Sequence, residues 1–164
     1  MNIFALDPDP YVAAQYLCDR HIVKMALETA QLMSTALVAH GVNHARLYRP
    51  THTRHPCTLW TAEARSNFVW LGFHGIGICH DYTLRYGKTH ASEAIIREAM
   101  DLHRHIPDVV GAKFAQAMPD KYKRADSVDA YRAYYIGDKA RFATWRAPRT
   151  APPWWPSDLA TQLH

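Results

Sequence analysis

Five side chains able to ionise, donate or accept share one seam of a single predicted helix. In "DRHIVKMALETAQLMSTAL", residues 19–37, a rotation of 100° per residue puts His21, Lys24, Glu28, Gln31 and Thr35 within about 80° of one another. The rest of the circumference is almost entirely Ile, Val, Met, Leu and Ala, the reverse of an ordinary surface helix with its single apolar stripe. A carboxylate or ammonium left unpaired in a core costs several kcal/mol, so such groups survive there only when paired, hydrogen-bonded or open to a cleft. Facing a cleft, Glu28 would move protons or stabilise a cation, and a partly desolvated Lys24 would attack as a free amine. The plainer alternative is an i,i+4 pair of Lys24 and Glu28 on a thin exposed strip.

A second face carries related groups. Trp60, Glu63, Asn67, Trp70 and His74 recur at intervals of three and four, as they would on one helix running from about Cys57 into the seventies. If the two seams face each other, the groove between them holds His21, Lys24, Glu28, Glu63, Asn67 and His74, walled by Trp60 and Trp70. In that groove His21, Glu63 and Asn67 would orient a substrate or a water.

Eleven histidines raise the question of a metal. His80-Asp81 spells the central pair of a metal-dependent phosphohydrolase, which would also need His21 or His55 before it and Asp101 or Asp129 after it. His40 and His44 are four apart, but Gly41 ends the helix between them. Cys18, Cys57 and Cys79 are odd in number and lack CxxC spacing, so neither a disulfide framework nor a thiolate zinc site is expected. No metal ligand set is assigned, and no cofactor is expected.

The formal charge of +4 is unevenly spread. Residues 113–149 hold nine Lys or Arg against four Asp, interleaved with or followed by Tyr122, Tyr131, Tyr134, Tyr135, Phe142, Trp145, Trp154 and Trp155. Cations for phosphates and rings for bases are the mixture of a nucleic-acid groove. The DNA-facing set expected here is Lys121, Lys123, Arg124, Arg132, Tyr135, Arg141, Trp145 and Arg146.

The elements that must position these groups are helices. At 164 residues the chain has the length of one domain, and residues 1–164 are expected to form one: mainly α, compact, with a short N-terminal extended arm and an irregular Pro/Trp-rich C-terminal tail. "MNIFALD" is the arm; Asp9 is an N-cap with Pro10 at the first helical position. Helix follows to about Ala39 with a break near Cys18 to Arg20, then again at 57 into the seventies, 78–86 and 91–104. A last helix over 128–145 is capped by Asp126 or Ser127. "RAPRTAPPWWP" is too rich in proline for regular structure. No charged n-region precedes an apolar h-region, and the longest apolar run, "FVWLGFHGIGIC", contains His74, so the chain is expected in the cytoplasm and not across a membrane.

The segment "LCDRHIVKMALE" resembles the opening helix of the pyrimidine-dimer DNA glycosylase and AP lyase family, the endonuclease V type, through Asp19, His21 and Glu28, the last standing where that family has its catalytic glutamate. "CDRHIVKMALETAQ", "HPCTLW", "RYGKTH" and "QAMPDKYK" also resemble a group of small phage-borne proteins, which implies a phage source and the host cytoplasm as location. The family resemblance implies a DNA partner and a nucleophilic α-amine exposed when Met is removed before a small residue. Here the second residue is Asn2, before which Met is expected to remain, and Leu27 stands where the family has an arginine. The candidate nucleophiles are therefore the Met1 amine and Lys24. The expected function is excision or modification of a damaged or modified DNA base by a glycosylase with lyase activity, the nucleotide being extruded into the groove. The alternatives are a metal-dependent nucleotide hydrolase and a non-catalytic DNA-binding protein.

Overall fold

A computed structural model describes residues 1–160; the last four residues of the expected 1–164 domain lie outside that range. The described residues are helical and loop structure with no strand among them, arranged as α1 (Pro10–Tyr16), α2 (Asp19–Ala39), α3 (Pro56–Glu63), α4 (Arg65–Tyr86), α5 (Glu93–Asp101), α6 (Ser127–Tyr134) and α7 (Ser157–Ala160). Short 3-10 turns at His103–His105 and Asp120–Tyr122 and a π turn at Tyr135–Lys139 complete it.

Helix α2 is the axis of the molecule, packed by α3, α4 and α5, while α1 lies on α4. No Gly or Pro interrupts α2 over its 21 residues. It ends in a Schellman motif: Gly41 takes φ +81°, its amide donates to Val38 O, and the amide of buried Val42 donates to Leu37 O. By length and composition α2 would also qualify to cross a membrane, but two thirds of that stretch is buried inside the protein (67%). The expected break before it is real. Asp9 accepts the amides of Tyr11 and Val12 to cap α1, and Asp126 accepts the Asp129 amide to cap α6.

Two expectations about helix continuity fail. The chain breaks at Ala64, in extended conformation (φ −144°, ψ 142°), so α3 and α4 are separate helices. Conversely α4 runs unbroken through Gly72, Gly75 and Gly77 to Tyr86, absorbing the segment at 78–86 expected as a helix of its own. These glycines are contact sites rather than breakers. A Cβ at Gly75 would stand 2.7 Å from Thr29 Cγ2 and 3.1 Å from Ile96 Cδ1, so α2, α4 and α5 meet here closer than a side chain allows. The last helix also stops short of 145, passing through the π turn and ending by Ala140.

The N-terminal arm carries no helix, turns at Phe4 where the Leu6 amide donates back to the Phe4 carbonyl at 2.8 Å, and is internal: Asn2 to Leu6 are all buried. It pairs with no strand. Instead Asn2 Oδ1 accepts the amides of Ile3 and Phe4, and Asn2 Nδ2 donates to Ala117 O at 2.8 Å. The tail after Trp145 is irregular up to α7, as its prolines require, and is held by charge. Arg149 Nε donates to buried Asp81 at 2.7 Å, Asp81 pairs with Arg85 at 2.7 Å, and Arg85 reaches Asp19 at 3.0 Å.

Candidate active site

The arm and α2 bring the amino terminus to Glu28. Glu28 Oε2 accepts the backbone amide of Asn2 at 3.0 Å and lies 3.9 Å from the Met1 α-amine, while Oε1 meets Lys24 Nζ at 3.1 Å. The Glu28 side chain is 10% exposed; that of Lys24 is 64% exposed. The seam is thus split by the curvature of its surroundings. His21, Glu28 and Thr35 turn inward, and Lys24 stands at the surface beside exposed Arg20, Val23 and Leu27. The expectation of a partly desolvated Lys24 is corrected: most of its side chain is open to solvent, so burial does not strip its ammonium of water. Glu28 thus meets two amines, Lys24 Nζ at 3.1 Å from the solvent side and the Met1 α-amine at 3.9 Å from the arm side.

His21, two turns before Glu28 on α2, is tied to the arm through Phe4. Its ring stacks on Phe4 at 4.4 Å, and Nδ1 meets the Tyr135 hydroxyl at 2.7 Å. That hydroxyl also accepts the Cys18 amide at 3.0 Å. Burial, aided by the positive fields of Lys139, Lys24 and Arg20, pushes the His21 pKa down to about 3, so the imidazole is neutral at pH 7. It is a positioning group rather than a charge. Phe4 takes φ +39°, a left-handed conformation rare for an aromatic residue, held by rings on several sides: His21, Tyr131, Tyr134 and Tyr135. Lys139 Nζ lies 5.9 Å from the Phe4 ring centre and 4.4 Å from that of Tyr134.

His55, the N-cap of α3, accepts the Cys57 amide on Nδ1. Its pKa is lowered by burial first, then by the amino terminus and His52, against the opposing field of Glu28. The site is therefore a carboxylate and an amine enclosed by the arm, α2 and the start of α3, with Lys24, Arg20 and Lys139 close enough to act on His21.

The second seam does not face Glu28. Glu63 is exposed at the end of α3, on the far side of the Ala64 break, and is removed from the groove. Asn67 is buried, but its Nδ2 donates to Trp60 O at 2.9 Å and so closes the α3–α4 corner. Trp70 donates to Pro8 O and His74 Nδ1 meets Pro10 O, so this face packs on the chain entering α1. Burial also lowers the His74 pKa to about 4. Trp60, Trp70, Asn67 and Phe114 instead line a cavity of about 380 Å³.

The DNA-facing set divides. Lys121, Lys123, Arg124, Arg141 and Arg146 are exposed. Tyr135 is wholly buried, with its hydroxyl committed to His21 and Cys18, so it belongs to the core and not to a binding surface. Arg132 is half-buried and fixes the arm, donating to Leu6 O and Asp7. Trp145 donates to Tyr16 O and packs on Trp155, holding the tail. Asp81 is occupied by two arginines, and no three of His, Cys, Asp and Glu gather as a metal donor set among the described residues.

Asn2, Phe4, His55, Arg20 and Lys139 were not expected at the site. The composition of the arm says only that it is buried; which helix it lies against is a long-range fact. Compared with known proteins, residues 1–94 match the model of the family described as pyrimidine dimer DNA glycosylase. No curated protein and no solved structure matches the chain.

Proposed function

The chain belongs to the pyrimidine dimer DNA glycosylase family, and from that premise we propose that it excises a damaged base from DNA and then cleaves the abasic strand, using the Met1 α-amine as nucleophile. One observation carries this reading: the α-amine lies 3.9 Å from the buried Glu28 carboxylate, on the arm side where the Asn2 amide donates to the same oxygen at 3.0 Å, while exposed Lys24 meets the other oxygen at 3.1 Å from the solvent side. As the free base, the amine attacks C1′ of the extruded nucleotide. The N–C1′ bond forms, the glycosidic bond breaks, and the departing base takes a proton. Opening of the sugar ring gives the Schiff base, with O4′ protonated. Glu28 stabilises the positive charge developing on the sugar and moves the proton between the amine and O4′. Loss of a C2′ proton then expels the 3′ phosphate and cuts the strand. His21 and Phe4 hold the arm, and thereby the amine, against Glu28. The exposed cations at 121–124, with Arg20, Lys24 and Lys139, engage phosphates.

Borohydride reduction on abasic duplex tests the assignment. Wild type and Lys24→Ala should both give a covalent adduct, mapped by mass spectrometry to the N-terminal peptide, and selective acetylation of the α-amine should abolish it. An adduct absent from Lys24→Ala and retained after acetylation would transfer the nucleophile to Lys24.

A further inference from the structure

The loop from Pro107 to Phe114, outside the segment that carries the family match, has fixed feet and an apolar tip. At one foot, Arg65 donates its amide to Pro107 O at 2.8 Å and its guanidinium pairs with Asp108 at 2.9 Å. At the other, Gly111 is pressed onto α4 so closely that a Cβ there would stand 2.7 Å from Asn67 Cγ, and Ala112 O accepts Trp60 Nε1 at 3.2 Å. Between the feet Val109 is 54% exposed and Val110 is 97% exposed.

Single exposed apolar residues are ordinary, but near-complete exposure on a rigidly anchored tip is not what packing produces. The neighbouring charges indicate what it meets. Lys113 follows three residues later and is exposed, as are Lys121 and Arg124 further along the chain, whereas the carboxylates of Asp108 and Asp120 are paired with Arg65 and Lys123 and that of Asp126, which lines a cavity with Lys113, caps α6. An apolar tip accompanied by exposed cations is complementary to a stack of bases between two rows of phosphates. The chain also sets the distance: seven Cα–Cα steps lead from Val110 to Ala117, whose carbonyl holds Asn2, so the tip lies at most about 25 Å from that anchor. At 3.4 Å per base step that is about seven base pairs or fewer.

We propose that Val110 is a wedge that enters the base stack of duplex DNA beside the nucleotide undergoing excision. The proposal rests on the DNA glycosylase reading for the reacting nucleotide but not for the wedge itself. Insertion between two bases unstacks them and kinks the duplex, which lowers the cost of extruding the target.

The test uses full-length protein and duplexes carrying 2-aminopurine at successive positions around a thymine dimer, with Val110→Ser and Val110→Leu for comparison. Because the Val110 side chain is almost fully exposed, both variants should fold as wild type does. Wild type should raise 2-aminopurine fluorescence at one step, and Val110→Leu should keep that rise. Val110→Ser should lose it, excise about tenfold more slowly in single turnover, and cleave pre-formed abasic duplex at the wild-type rate. Its salt dependence of binding should be unchanged. If wild type forms the borohydride adduct but Val110→Ser matches it in fluorescence and excision rate, the wedge is overturned and the glycosylase reading stands. If wild type unstacks DNA through Val110 yet never excises or forms an adduct, the glycosylase reading falls and the wedge stands. Self-association by sedimentation that disappears in Val110→Ser, with no change on DNA, would assign the tip to a second copy and overturn the proposal.

Discussion

Asn2 commits its side-chain oxygen and nitrogen, together with its backbone amide, to fixing one short piece of chain: Oδ1 to two amides, Nδ2 to Ala117 and the backbone N–H to Glu28. The glutamate is therefore held from the arm side independently of Lys24, whose side chain is largely exposed. Glu28→Gln keeps an oxygen for the Asn2 amide and strands no buried lysine, but it removes the charge partner of the enclosed Met1 amine, so stability should fall by about 1–2 kcal/mol in urea melts. Excision should fall by about 100-fold or more in single-turnover assays, because the amide moves no proton and carries no charge. A destabilisation of about 3 kcal/mol with full activity would make Glu28 structural. The two buried histidines set a pH response. Their pKa values of about 3 and about 4 in the fold lie below the 6.5 of an unfolded histidine, so the unfolded chain binds the extra protons. Their contribution is complete above about pH 6.5 and is lost as pH falls toward those values, at up to about 1.4 kcal/mol per pH unit for each histidine. Denaturant melts at pH 7, 5.5 and 4.5 read this directly, and a flat profile would mean that the two rings take up protons in the fold as they do in the unfolded chain.

At the scale of elements, local chemistry was legible where it was decided locally. The Asp9 and Asp126 caps, Pro10, the break before Asp19 and the Gly41 terminus each follow from a few neighbouring residues, and all are present. Glycine inside α4 was unreadable for the opposite reason. Whether Gly75 breaks a helix or admits a neighbour depends on Thr29 and Ile96, which are distant in sequence. Likewise, nothing in "WTAEARSN" announces the extended Ala64 that turns Glu63 away from Asn67. Gly75→Ala should raise helix propensity by about 1 kcal/mol and nonetheless lose about 1–3 kcal/mol net through overpacking between α2 and α5. A variant more stable than wild type in calorimetry would show that the three-helix junction yields easily.

For the whole molecule, the position of Glu28 on its helix was readable, and the partner that the fold brings to it was not. The seam pointed correctly to Glu28 and His21 as inward-facing but paired them with the wrong surface, because helical periodicity gives a face and not what covers it. The cover is the arm, and the basic half closes behind it through Arg132, Tyr135 and Thr144. DNA affinity should accordingly fall with salt at a log-log slope of about −0.9 per phosphate engaged. Replacing Lys121, Lys123 and Arg124 together by Ala should flatten that slope by about 0.9 for each phosphate these cations neutralise, and Gln116 should still hold the backbone of residue 124. An unchanged slope in fluorescence anisotropy titrations would exclude this loop from the interface.

The bonds that fix the arm and the start of α2 join opposite ends of the chain: Asn2 to Ala117, Cys18 to Tyr135, Asp7 to Arg132 and Asp19 to Thr144. On a ribosome the first residues made are thus among the last to be placed. At about 5–20 residues per second, Asn2 waits several seconds or more for Ala117 to leave the exit tunnel, with an apolar arm and an apolar helix α2 uncovered meanwhile. Nascent chains stalled after residue 94 should bind chaperones and form no borohydride adduct, although they contain Met1, Lys24 and Glu28. The enzyme would then switch on in a single late step of its own synthesis.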